Sequence, residues 1–159
     1  MHIRRFQEGD AQAISDLIAL TLRTTNSRDY DAEYLEEDIR HLQPEDIKGR
    51  AAGQHFYVVE ENGSIVGCGA IGSYWGSETE SSLFTIFVHP SFQGRGIGRQ
   101  IIQTLEQDPY FLRANRVEIP ASITAVPFYM KMGYTCKGGS ATPDEERLVR
   151  MEKHRQISS

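Results

Sequence analysis

Few folds accommodate the order met between Leu83 and Gly98: an apolar strand, a glycine turn, then a helix. Leu83-Phe-Thr-Ile-Phe-Val88 is apolar, aromatic or β-branched, which suits a largely buried strand. Pro90 ends any ladder, because it has no N–H to donate. Gly94, Gly96 and Gly98 follow, and Ile97, Ile101, Ile102 and Leu105 then share one helical face. The first N–H groups of a helix lack intrahelical partners, and the helix dipole adds positive potential there. Glycines let a ligand approach that main chain closely, so the turn reads as an anion site suited to phosphate. The dinucleotide spacing G-x-G-x-x-G fails, since the required third glycine is Arg99 or Ile101, and no Gly-Lys-Ser/Thr follows as a P-loop needs.

The rest of the chain supplies a sheet around that strand. His2 to Phe6 alternates as a first strand, and Asp10 is placed to cap a helix carrying Ile14, Leu17, Ile18 and Leu22. Asp31 to Leu42 reads as a second, acidic helix, and Pro44 to Gly53 as a polar connection with a turn of helix around Asp46 to Arg50. Two strands, His55 to Glu60 and Ile65 to Tyr74, flank an Asn62-Gly63 hairpin turn, the second loosened by Gly67, Gly69 and Gly72. Glu80 to Val88 completes an antiparallel meander. Pro109 to Ala114 interrupts, and Asn115 to Ile119 is a strand reached by a right-handed crossover, hence parallel to the organising strand. Ser122 is placed to cap a helix ending at Gly133. Tyr134 to Lys137 and Arg147 to Glu152 read as a closing pair of strands, and the tail from His154 as frayed.

Composition narrows the function classes. The 159 residues suffice for one domain with a real core. Seventeen basic against 22 acidic residues give −5, against nucleic-acid or anionic-membrane binding. Cys68 and Cys136 belong to no zinc spacing, so no metal site is expected, and both read as small core residues in a reducing compartment. With no apolar span and no signal-like N-terminus, the expected location is the cytoplasm.

Val88-His-Pro-Ser-Phe-Gln-Gly-Arg-Gly-Ile-Gly-Arg99 resembles the acetyl-CoA pyrophosphate loop of the GNAT superfamily of N-acetyltransferases. Ala125 with Tyr129, closing in Gly133-Tyr134, is similar to that family's second signature. The resemblance implies an α/β (α+β) fold over residues 1–159 as one acetyltransferase domain: a mixed, mostly antiparallel sheet flanked by helices, with a V-shaped splay between strands 4 and 5. It implies transfer of acetyl from acetyl-CoA, the co-substrate, to a primary amine of a small molecule, peptide or protein, through a tetrahedral intermediate.

The pantetheine arm is then expected beside Phe87 and Val88. The pyrophosphate is expected on Gln93, Gly94, Arg95, Gly96, Ile97, Gly98 and Arg99. Ser122 stands where many relatives carry an Asn for the arm. Tyr129 is the family-matched acid for the departing thiolate, since a phenol can donate that proton. A lysine-like ammonium, with a pKa of about 10.4, must lose a proton first. Glu118 and Glu80 are the candidate bases; each also reads as a solvated strand-end carboxylate, with ordered water taking the proton instead. Tyr30, Tyr74 and Trp75 are candidates for the acceptor side. Many relatives dimerise, so a homodimer is open, as is a non-catalytic acyl-CoA-binding or sensing domain.

Overall fold

The computed structural model of the chain describes residues 1–156. Its centre is a seven-stranded sheet in the order β1-β2-β3-β4-β5-β7-β6. The strands are β1 (His2–Arg5), β2 (His55–Glu61), β3 (Ser64–Ser73), β4 (Glu80–Val88), β5 (Arg116–Ser122), β6 (Thr135–Cys136) and β7 (Leu148–His154). All neighbours are antiparallel except β4 and β5. The parallel pair is the crossover that the strand–helix–strand order dictates.

Helices cover both faces. On one, α1 (Ala11–Thr24), α2 (Ala32–Arg40) and α3 (Pro44–Gly53) bury Ile14, Ile18, Leu35 and Ile47 against Phe56, Val58 and Cys68. On the other, α4 (Ile97–Leu105), the short α5 (Pro109–Leu112) and α6 (Val126–Lys131) pack on β3, β4 and β5. The apolar face expected of α4 is the buried one: Ile97, Ile101, Ile102 and Leu105.

Several local readings are corrected. Pro44 to Gly53 is a ten-residue helix, not a polar connection. Pro44 occupies the first turn, Gln43 and Asp46 form a reciprocal cap, and Ile47 is fully buried. Asp10 does not cap α1: its carboxylate accepts from the Gln7 N–H and takes the Arg4 guanidinium at 2.8 and 2.9 Å. Gly67 and Gly69 do not loosen β3 but admit α4, because a Cβ on Gly69 would stand 2.6 Å from Ile101 Cγ2. The helix foreseen from Ser122 begins as a 3₁₀ turn, Ile123–Ala125, before α6. The Ser122 side chain does not cap it; the Ile123 N–H donates instead to the Tyr30 hydroxyl at 2.9 Å. At the end of β7, Arg155 is still held, its amide on the Asn115 carbonyl at 2.7 Å. The remainder of the tail expected to fray, residues 157–159, lies outside the described residues.

Candidate active site

β4 and β5 pair only from Glu80↔Arg116 to Ser82↔Glu118. Beyond that, β4 stays with β3 to Val88 and β5 with β7 to Ser122, so the two strands part and the sheet opens as a V. Pro120 is tolerated in β5 because the ladder toward β4 has already ended there. A cleft of about 1060 Å³ fills the opening, the upper end of small-molecule sites and room for a long co-substrate beside an acceptor.

The β4 wall carries a bulge. Phe84 faces Ala70 and Phe87 faces Cys68, so three steps on β4 match two on β3. Thr85 absorbs the extra residue at φ 54°, a left-handed conformation that a β-branched residue rarely adopts. Its carbonyl accepts the Cys68 thiol at 3.2 Å. Such strain gathers at functional sites.

At the far end of β4 the glycine turn hands the chain to α4. Gly94 and Gly96 have φ 79° and 80°, and Gly96 is the residue from which α4 springs. Among the described residues, no main-chain N–H from Gln93 to Arg99 donates to a protein acceptor; the first that does is Gln100, to Gly96. The segment therefore presents a run of free amides on the positive end of a nine-residue helix. Gly98 also serves packing: a Cβ there would meet the Phe128 ring at 3.0 Å. Gln93 is tied down, donating to Thr25 Oγ1 at 3.1 Å and the Val88 carbonyl at 3.3 Å. Arg95 lies over the Phe92 ring, 4.9 Å from its centroid, and Arg99 borders the cleft.

Tyr129 enters from α6. It is buried, its ring 5.4 Å from that of Phe128, yet it lines the cleft. Its hydroxyl has no partner among the described residues and is not sealed from solvent. Burial pushes the phenol above its ordinary value, so it stays protonated at neutral pH. Ser122 also borders the cleft, its side chain not engaged as a cap.

The two glutamates lie elsewhere. Glu118 is 2% exposed and is held by Arg116 at 3.1 Å, Lys137 at 3.0 Å and Arg150 at 3.7 Å. Glu80 also pairs with Arg116, whose guanidinium covers the Tyr74 ring. Neither glutamate borders the cleft, nor does Tyr74.

Of the acceptor candidates, Tyr30 lines the cleft with its ring, and its hydroxyl donates to the Arg147 carbonyl at 2.7 Å. Trp75, 91% exposed at φ 48°, stands at the mouth. Sequence reasoning missed the rest of this wall. Asp38 on α2 and Glu146 are the carboxylates that border the cleft among the described residues. Burial raises the Asp38 carboxyl above its usual range, opposed chiefly by Arg50. Arg50, on α3, reaches across to Thr85 Oγ1 at 3.2 Å. Tyr34 stacks on Tyr30 at 4.8 Å and donates to the Glu146 carbonyl at 2.6 Å. The Gln43-Pro44-x-Asp46 helix start was the available signal, since a full α3 carries Arg50 inward.

Comparison with known proteins agrees with this geometry. The family described as acetyltransferase (GNAT) domain matches residues 26–155. The chain is 28% identical over 124 residues, 73% of each sequence, to an IAA acetyltransferase of Azospirillum brasilense. The fold is similar to PaiA N-acetyltransferase of Thermoplasma acidophilum in complex with coenzyme A, with TM-score 0.82 and 16% identity over 96% of this chain and 98% of that one. It is also similar to YncA of Salmonella typhimurium with acetyl-CoA, with TM-score 0.68 and 19% identity over 100% and 96% of the chains. With its family pattern matched along most of its length, its sheet open between β4 and β5 and its glycine turn leading into α4, the chain belongs to the GNAT acetyltransferases, acyltransferases that depend on acetyl-CoA.

Proposed function

We propose that the protein transfers acetyl directly from acetyl-CoA to a primary amine. The observation that carries this reading is the run of unpartnered amides from Gln93 to Arg99, with Tyr129, its hydroxyl without a partner among the described residues, lining the same cleft. The amides and the α4 dipole hold the diphosphate. The edge of β4 at Phe87 and Val88 takes the pantetheine arm as an added strand, and Ser122 borders it from β5.

Bound acetyl-CoA supplies an activated thioester. The amine nitrogen attacks its carbonyl carbon, and collapse of the tetrahedral intermediate breaks the C–S bond. Tyr129 gives its proton to the departing sulfur, the role for which a buried, still protonated phenol is suited. The bulge at Thr85 leaves main chain out of the ladder beside the reacting carbonyl, where an N–H donor stabilises the oxyanion. Glu118 and Glu80, bound in the Arg116 network, set the strands rather than take the proton. Proton removal falls to the acceptor wall, through water.

The test has two arms. CoA should bind at least tenfold tighter than ADP, because the arm adds strand-like contacts; equal binding would reduce the site to a phosphate cradle. Acetyl-CoA with a panel of primary amines should release thiol, and no release from any amine by a CoA-binding protein would favour the sensing domain.

A further inference from the structure

We propose that the acceptor is a zwitterion, a free amino acid whose ammonium is taken by Asp38 and whose carboxylate is taken by Arg50. The inference rests on the acetyl-transfer reading and specifies the substrate class of the same cleft. Asp38 and Arg50 come from consecutive helices, α2 and α3, and both border the cleft. Asp38 is half-buried, and among the described residues its carboxylate accepts no hydrogen bond and joins no ion pair, although its main-chain carbonyl takes the His41 N–H. Arg50 likewise meets no carboxylate within ion-pair distance; its contact is the neutral Thr85 hydroxyl at 3.2 Å. The two charges feel one another without touching. The other charged pair on this wall is satisfied: Arg150 is taken up by Asp144 at 2.7 Å and Glu146 at 3.6 Å.

A half-buried charge without a partner is costly, and a ligand bearing the opposite charge removes that cost. A monoamine satisfies Asp38 and leaves Arg50 unpaired, and a polyamine sets a second cation against Arg50. An amino acid answers both with no net charge brought in. Arg50 is anchored on Thr85, at the bulge just beyond the point where β4 and β5 part, so a carboxylate gripped there holds the neighbouring amine beside the opening of the sheet. The guanidinium fork suits a carboxylate in particular. The side chain is left to Leu42, Phe84 and Trp75, which favours an apolar one.

The experiment uses the full chain with acetyl-CoA and follows thiol release for apolar amino acids, their amides, the corresponding decarboxylated amines and a polyamine. The amino acid should exceed its amide in kcat/KM by about 10- to 100-fold, the worth of a charged hydrogen bond. Arg50→Gln should erase that preference by raising KM for the amino acid. Asp38→Asn should raise KM for every amine. Both variants should keep the wild-type Kd for CoA and fold as the parent does. Amides or simple amines used as well as amino acids, or an Arg50→Gln enzyme that keeps the preference, would overturn the proposal and leave acetyl transfer standing. Calorimetry with the CoA-loaded protein gives a second readout: no heat from any amino acid at about 10 mM, a weak-binding ceiling, would also overturn it. Failure of CoA itself to bind would instead strike at the donor site.

Discussion

On the proposed reading, individual side chains divide the cleft between donor chemistry and acceptor recognition. Tyr129 is the clearest case, a buried phenol that lines the cleft and whose hydroxyl has no partner among the described residues. Tyr129→Phe should lower kcat by about 10²- to 10⁴-fold, the usual worth of a positioned acid, with the Kd for CoA unchanged. Because burial raises the phenol, its proton is retained as pH climbs through neutrality and past the ordinary tyrosine value of about 10. The pH–rate profile between pH 6 and 9 should therefore look the same in shape for Tyr129→Phe and the parent, any limb there belonging to the acceptor wall. A shape change in that range would show that the phenol titrates lower than its burial implies. Asp38 and Arg50 escaped sequence reasoning because each is one charged residue on a polar helix face, and only tertiary packing shows that these faces border a cleft.

Whole elements were legible where pattern and chemistry agree. The strand from Glu80 to Val88, the apolar face of α4 and the parallel crossover to β5 all follow from periodicity and connection length. The V-shaped opening came through family resemblance, and the register shows its cause, a ladder that stops at Ser82 and Glu118. α3 was underestimated because Gly49 and Gly53 dilute its pattern, leaving Ile47 as its one buried apolar anchor. Ile47→Ala should accordingly cost about 2–5 kcal/mol, read as a lower urea midpoint. It should also raise KM for the acceptor by displacing Arg50, while KM for acetyl-CoA holds. Gly67 and Gly69 were misjudged for a related reason, and the packing role of Gly98 went unseen. A glycine that makes room for a neighbour looks the same in sequence as one that loosens a strand or greets a ligand, and the Ile101 and Phe128 contacts distinguish them.

Across the whole molecule, one ionic cluster joins the strands at the end where β4 and β5 are still paired. Arg116 gathers Glu80, Glu118 and Glu152 from β4, β5 and β7, with Lys137 and Arg150 closing on Glu118. Removing the charge from a buried paired carboxylate leaves its cations uncompensated, so Glu118→Gln should destabilise by about 3 kcal/mol. Chemical denaturation would report this, and kcat for the folded fraction should stay near the parent value. A collapse of kcat without loss of stability would return Glu118 to the role of base. The Tyr30 hydroxyl acts at the same scale: it receives the amide that opens the turn before α6 and gives its own proton to the carbonyl ahead of β7. One oxygen atom thus pins the segment leading into α6 to the segment leading into β7. Neither segment can drift without dragging the other; on the proposal that the two flank donor and acceptor, seating the first substrate should stiffen the berth awaiting the second.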